Sequence, residues 1–125
     1  MELTKPEEAV KAARAKLTDR RKEHFIAFYL DTRNRVIHSE VVSIGTVDSA
    51  LVHPREVFRP AIAKSASGVI TLHNHPSGVV EPSDSDIEIH RRLRDAGRII
   101  GIRLVDSIVF SSRGAFHSFA SDNQH

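Results

Sequence analysis

The segment between Gly68 and Asp86 constrains the fold of this chain most strongly, because it predicts a buried strand joined to a helix by a short loop. The run over residues 68–72 is short, apolar and β-branched, which favours a buried strand over a helix. Pro76 ends that strand, and the Ser-Gly pair after it turns the chain. Ser83, with Asp86 three residues later, has the pattern of a helix start with a serine N-cap. The end of a strand and the start of a helix therefore meet across this loop.

Potential metal ligands lie on both sides of the loop. His73 and His75 are two residues apart, so their side chains project from one face if the extended conformation continues that far. Asp86 adds a carboxylate from the first turn of the helix. Catalytic zinc sites take three such protein ligands and leave a fourth position for water, whereas structural sites are closed, often by cysteine. Because the chain has no cysteine, the three residues predict an open catalytic site for Zn²⁺.

The same residues resemble a known family motif. The string His73-Asn74-His75-Pro76-Ser77-Gly78, followed by Pro82-Ser83 and Asp86, is similar to the JAMM motif of the MPN metallopeptidase superfamily, and in its full form to the RadC branch. Three further segments also match RadC-like proteins, namely residues 30–35, the pair Gly45-Thr46 and residues 53–57. The resemblance therefore covers about residues 20 to 120.

The resemblance implies both an activity and a role for each residue. It implies a zinc-dependent metallohydrolase of the peptidase or isopeptidase type, with His73, His75 and Asp86 as the zinc ligands. Ser83 corresponds to the serine that hydrogen-bonds near the activated water and the developing oxyanion. A bound metal lowers the pKa of water from about 15.7 toward about 7, which makes hydroxide available near neutral pH. The sequence does not specify which peptide or isopeptide would be the substrate.

The JAMM pattern also needs an upstream glutamate as general base, since the attacking water must lose a proton and the leaving amine must gain one. Glu23 is the preferred candidate, because it lies at the entrance of a predicted strand after an N-terminal helix, where the superfamily tends to place its glutamate. Glu40 is the alternative and shares a strand face with Val42 and Ile44. Both remain open at this level.

The chain departs from the RadC pattern at Ser107. RadC-like sequences typically read Asp-His-Ile near the last long strand, whereas this chain reads Asp-Ser-Ile from residue 106. If that histidine shapes the site, this chain lacks its contribution. None of the other histidines is assigned to the metal, although His24, beside Glu23, is placed close enough in sequence to reach the site.

Length and periodicity predict one domain over residues 1–125 with one hydrophobic core, since the chain has 125 residues and is 40% apolar. The expected class is α/β, an α+β sandwich with a mixed sheet flanked by helices, of the MPN type and similar to cytidine deaminases. The expected elements are a helix within 1–22 starting at Pro6, strands over 25–30 and 36–44, a helix from Pro54 that buries Val57, Phe58, Ala61 and Ile62, the strand before His73, a helix from Ser83 to Gly97, strands over 104–110 and 116–119, and a frayed tail at 121–125.

Composition bounds the partners and the location. The net charge is only +2, acidic residues interleave with the basic clusters, and aromatic residues make up 6%, so the clusters are interpreted as solvated helix faces, with DNA as the alternative partner. The sequence contains no apolar run of about 18 residues that could cross a membrane, and its first eight residues lack the pattern of a secretory signal, so neither element is expected. With zero cysteines, a reducing compartment such as the bacterial cytoplasm is expected. The oligomeric state is left open.

Two other functions compete with hydrolysis. RadC-like proteins carry a historical label of DNA repair, which suggests an accessory domain acting on DNA without peptidase turnover. They usually have an additional N-terminal helical region, so this chain resembles a C-terminal fragment. A zinc-bound scaffold that recruits proteins is the third possibility, although the intact ligand set argues against it. A zinc deaminase is excluded, because its pattern needs a Cys-x-x-Cys pair.

Overall fold

A five-stranded mixed sheet organises the protein, as seen in a computed structural model that describes residues 1–48 and 52–122. The strand order is β2-β1-β3-β4-β5, in which β3 and β4 are parallel and the other neighbours are antiparallel. The elements are α1 (Pro6–Arg14), β1 (His24–Leu30), β2 (Val36–Ile44), α2 (Pro54–Ala63), β3 (Gly68–Asn74), α3 (Asp84–Ile100), β4 (Arg103–Phe110), β5 (Phe116–Ser118) and a 3₁₀ turn (Ala120–Asp122). The predicted fold class, a mixed sheet flanked by helices, is confirmed.

The parallel pair explains why the loop after β3 becomes a site. Parallel neighbours cannot be joined by a hairpin, so the chain must cross over the sheet between them, and α3 makes that crossover. The crossover begins at the end of β3, in the centre of the sheet, because β3 lies between β1 and β4. The first turn of α3 therefore lies beside the last residues of a central strand.

Helices cover both faces of the sheet. Along β1, Phe25, Ala27 and Tyr29 face α2 and α3, while Ile26 and Phe28 face α1. All seven residues of β1 and all seven of β3 are buried, as expected for central strands covered on both sides. Since cross-strand partners share a face, His73 opposite Phe25 lies on the side of α2 and α3. The strand alternation thus decides which helices can supply partners to the site.

The N-terminal helix is shorter than predicted. Instead of extending to about residue 22, α1 ends at Arg14, and residues 1–3 pair with the start of β2. Leu17 is the only large apolar residue between residues 15 and 22, so a longer helix would have little to bury. The backbone N–H of Thr18 instead donates to Nε2 of His24 at 3.2 Å. The chain leaves the helix in order to enter β1.

Three further details differ from the sequence prediction. Gly97 does not stop the third helix, because α3 continues to Ile100 and Gly101 takes the left-handed conformation at its end. Ile62 is not on the buried side of α2 but is 63% exposed. Residues 121 and 122 of the predicted frayed tail belong to a 3₁₀ turn, Ala120–Asp122, and the rest of that prediction, residues 123–125, lies outside the described residues. Among the described helices, none is long and apolar enough to cross a membrane.

Candidate metal centre

The three predicted metal ligands come together where β3 ends and α3 begins. His73 is the penultimate residue of β3, His75 follows the strand, and Asp86 lies in the first turn of α3. The backbone N–H of His75 donates to the carbonyl of Phe110 at 2.9 Å, which keeps the chain extended beyond the end of β3. One ligand atom from each of the three side chains lies within 4.8 Å of the other two. The spacing of two residues therefore does place both imidazoles on one side.

The N-terminus of α3 fixes the position of Asp86. Ser83 is the N-cap, and its Oγ accepts the backbone N–H of Asp86 at 3.1 Å. In return, Oδ2 of Asp86 accepts the backbone N–H of Ser83 at 2.8 Å and lies 2.9 Å from its hydroxyl. Such a reciprocal capping box satisfies backbone donors that the first helical turn leaves without partners. The carboxylate is therefore oriented by the helix start itself.

Asp86 is a buried carboxylate shared between two imidazoles. Its Oδ1 lies 2.7 Å from Nδ1 of His73, and its Oδ2 lies 2.9 Å from Nε2 of His75. Burial raises the pKa of Asp86, but hydrogen bonds from His73, His75 and the Ser83 backbone outweigh it and hold that pKa well below its usual range. The hydrogen bond to Asp86 raises the pKa of His75. The carboxylate is thus ionised near neutral pH, as a metal ligand must be.

Glu23 reaches this cluster, whereas Glu40 lies against a different histidine. Glu23 is the residue immediately before β1, and its Oε1 is 2.8 Å from Nε2 of His73. Glu40 lies on the edge strand β2, and its Oε1 is 3.0 Å from Nε2 of His38. Strand β1 separates Glu40 from His73, and neighbouring strands are spaced about 4.8 Å apart. Of the two candidate bases, only Glu23 makes a hydrogen bond to a member of the cluster.

Asn74, which the sequence reasoning did not single out, holds the backbone on both sides of Glu23. Its Oδ1 accepts the backbone N–H of His24 at 2.6 Å, and its Nδ2 donates to the carbonyl of Lys22 at 3.0 Å. Asn74 is only 1% exposed, so these bonds are made away from solvent. Its place between two candidate ligands is the signal that could have identified it.

His24 does not reach the site. As an even-numbered residue of β1 it points to the α1 face, opposite to His73, and it is fully buried there. Its ring nitrogens lie 2.9 Å from the carbonyl of Lys22 and 3.2 Å from Oγ1 of Thr18. His53 occupies the N-cap position of α2 but makes no capping hydrogen bond with its side chain.

The donor set fits a divalent metal that prefers imidazole and carboxylate. Zinc accepts two histidines and one carboxylate, and its ligating histidines generally donate their second ring N–H to an oxygen. His75 meets this requirement, because its Nδ1 lies 2.8 Å from the carbonyl of Val79 and its Nε2 faces the cluster. His73 and Asp86 are 4% and 7% exposed, so the ligand atoms are largely shielded from water. The cluster could therefore hold a metal ion.

Comparison with known families agrees with this geometry. A family model described as the RadC-like JAB domain matches residues 3–124. The chain belongs to this family. The five-stranded mixed sheet with three helices is consistent with a JAB/MPN domain, and the RadC resemblance drawn from the sequence motif is confirmed.

Relatives of this RadC-like JAB domain are found in bacteria. A UPF0758 protein of Geobacter sulfurreducens is 48% identical over 118 residues, which cover 94% of this chain and 51% of the relative. Those of Geobacillus thermodenitrificans and Bacillus cereus are 46% and 43% identical over 86% and 93% of this chain, and these matches cover 48% and 50% of the relatives. The chain thus spans about half the length of the curated relatives it matches. Their names specify no reaction or substrate.

Proposed function

We propose that this RadC-like JAB domain is a zinc-dependent hydrolase of peptide or isopeptide bonds. The observation that carries the proposal is the joint position of the His73, His75 and Asp86 cluster and the Glu23 carboxylate, 2.8 Å from the His73 ring. Zinc bound by the three ligands would supply Lewis-acid activation of water and of the scissile carbonyl. Proton transfer and stabilisation of the oxyanion would be carried out by the side chains of Glu23 and Ser83.

Glu23 is the proposed general base. A candidate base must lie within hydrogen-bond reach of the proton that it removes, and Glu23 is anchored beside the ligands by Asn74 through the backbone of residues 22 and 24. It would take the proton of the attacking water and return it to the leaving amine. Its side chain is 30% exposed, so it stays accessible from solvent while one oxygen contacts His73.

Ser83 is the proposed oxyanion partner. Its hydroxyl lies 2.9 Å from Oδ2 of Asp86, which puts the hydroxyl next to the ligand atoms. In this structure the hydroxyl donates its one proton to Oδ2 of Asp86, and with that oxygen bound to a metal it would instead donate to negative charge that develops on a substrate oxygen. The capping box of α3 holds it in place.

A cleft beside Glu23 offers the substrate an approach. It has a volume of about 380 Å³, and its lining includes Lys22, Glu23, Ile44, Gly45 and Pro76. Ile44 ends the edge strand β2, and Pro76 directly follows His75, so the cleft lies between the edge strand and residues next to the cluster. An extended peptide segment fits such a cleft next to an edge strand. We therefore propose a peptide or isopeptide as the substrate.

We also propose that the protein is located in the bacterial cytoplasm, because its relatives are bacterial and its sequence contains no cysteine.

Metal analysis of the purified protein tests the proposal. We expect near-stoichiometric zinc in the parent, and strong loss of zinc in His75→Ala and Asp86→Ala, because each variant leaves two protein ligands where catalytic zinc sites have three. Matched controls are His38→Ala on β2 and Asp84→Ala, which is exposed in the same helical turn as Asp86. Both controls should retain zinc. A parent protein that takes up no divalent metal under any loading condition would refute the proposal.

A further inference from the structure

A second group of buried polar side chains lies next to the cluster formed by His73, His75 and Asp86. Nδ1 of His90 is 2.7 Å from Oγ of Ser107, and Oγ1 of Thr71 donates to the same Ser107 oxygen at 3.3 Å. The three side chains are 5%, 7% and 2% exposed, respectively. Since buried polar groups are costly unless they are hydrogen-bonded, the three side chains must keep these positions relative to one another.

This polar group connects the elements that carry the proposed ligands. His90 lies one helical turn after Asp86 on α3, so the two side chains project from the same face of the helix. Thr71 lies two residues before His73 on β3 and therefore shares its face of the sheet. Ser107, on β4, pairs with Thr71 in the parallel ladder and touches both side chains. These hydrogen bonds join α3 to β3 through β4, one helical turn after Asp86 and two residues before His73.

The ring of His90 is held in one orientation by an aromatic neighbour. Phe119 stacks on it, with ring centroids 4.4 Å apart and an angle of 25° between the rings. The backbone N–H of Phe119 donates to the carbonyl of Ser107 at 2.9 Å, which ties the stacking residue to the same strand position. A cavity of about 20 Å³ is lined by both groups, including His73, Asp86, His90 and Ser107. The polar group and the ligand cluster are therefore direct neighbours.

We propose that His90 is a positioning residue of the metal centre, which acts through Ser107 and Thr71 to hold Asp86 against His73. The inference rests on the proposed metal-dependent function. The RadC-like pattern has a histidine at position 107, where this chain has a serine. In this chain the imidazole beside position 107 belongs to His90 of α3, and β4 supplies the hydroxyl that it contacts.

Cobalt binding to the full chain tests the inference, because Co²⁺ reports both affinity and ligand geometry through its visible absorption. His90→Phe keeps an aromatic ring against Phe119 but removes the hydrogen bond, and Ser107→Ala removes the same bond from the other side. We expect each to weaken cobalt affinity by about 10-fold, the lower end of the loss for groups hydrogen-bonded directly to metal ligands, because His90 and Ser107 act on Asp86 and His73 only through the positions of α3 and β3. The absorption of the cobalt-saturated protein should also change.

Two comparisons separate positioning from simple stabilisation. Leu93→Ala creates a cavity one turn further along α3, and it should lower the melting temperature without changing cobalt affinity. The double variant His90→Ser with Ser107→His keeps one imidazole and one hydroxyl at this contact, but β4 now supplies the imidazole and α3 the hydroxyl. It should recover most of the cobalt affinity that the single variants lose.

Each outcome bears on one claim. If His90→Phe and Ser107→Ala lower only the melting temperature, as Leu93→Ala does, His90 is structural and the inference is wrong. A double variant that folds like the parent but binds cobalt as weakly as the single variants would also contradict it. If the parent binds no cobalt or zinc, the proposed function fails and the inference fails with it.

Discussion

At the scale of single residues, the site depends on which atoms neighbouring side chains share. Asp86 divides its two oxygens between His73 and His75, and Ser83 holds the same carboxylate from the helix start. Asn74 places Glu23 through the backbone rather than by touching its side chain. The sequence motif predicted the identity of the ligand candidates, whereas these pairings determine how each one is oriented.

The choice of general base leads to a residue-scale prediction. On an amide or isopeptide substrate that the parent hydrolyses, Glu23→Gln should lower the rate by about 10²–10⁴-fold, because the amide cannot accept the proton of water. The variant should retain its zinc, since Glu23 is not one of the three proposed ligands. Glu40→Gln is the matched control and should hydrolyse the substrate like the parent. Loss of turnover in Glu40→Gln alone would assign the role to Glu40 and refute the assignment of Glu23.

At the scale of elements, α3 carries both Asp86, one of the candidate metal ligands, and side chains of the hydrophobic core. Ile89 and Leu93 bury themselves against the sheet on the face that carries Asp86 and His90. Gly97 continues this face at a point where no side chain fits, since an added Cβ would lie 2.3 Å from the carbonyl oxygen of Ile102 and 3.3 Å from Cζ of Phe58. The sequence pattern predicts a helix stop at Gly97, whereas in the structure this glycine lets α3 pack closely against α2 and against Ile102, the residue before β4.

Gly97→Ala should therefore destabilise the protein although alanine has the higher helix propensity. We expect a net loss of about 1–3 kcal/mol in the free energy of unfolding, as is usual for an overpacked interior position. Urea denaturation measures this loss, and Arg98→Ala, at an exposed position in the same turn, should change stability by less than about 0.5 kcal/mol. An increase in stability in Gly97→Ala would show that Gly97 is not closely packed.

At the scale of the whole molecule, six arginines are each paired with a neighbouring acidic residue. Ion pairs join arginines and carboxylates over much of the surface: Arg21 with Asp19, Arg35 with Asp31, Arg55 and Arg59 with Glu56, Arg91 with Glu88, and Arg94 with Asp95. Such exposed pairs add little stability, but each places a negative charge where a DNA phosphate would have to bind. The charge distribution gives the DNA-binding alternative no continuous basic surface among these residues.

A DNA titration tests this argument. We expect affinity for single- and double-stranded DNA no tighter than the roughly 10⁻⁴–10⁻⁶ M of non-specific binding, weakening further as salt is raised. Fluorescence anisotropy with a labelled oligonucleotide, measured at several salt concentrations, would show this. Tight binding that persists at high salt would favour an accessory role on DNA.

The sequence by itself determined the strand, loop and helix around His73, His75 and Asp86, because these depend on local signals: strand alternation, the Pro-Ser-Gly turn and the serine cap. It also located the hairpin between β1 and β2 and the start of α2. Local signals failed where a distant residue decided the outcome. Gly97 depends on contacts with Ile102 and Phe58, and α1 ends early because the chain must turn into β1.

Only the tertiary structure decided which glutamate meets the cluster and which imidazole contacts Ser107. Glu23 and His73 are 50 residues apart, and His90 and Ser107 are 17 apart, on different elements. Sequence spacing predicts which residues of one strand or helix share a face, but not which faces meet. That depends on the order of strands in the sheet and on the crossover of α3, which bring separate parts of the chain into contact.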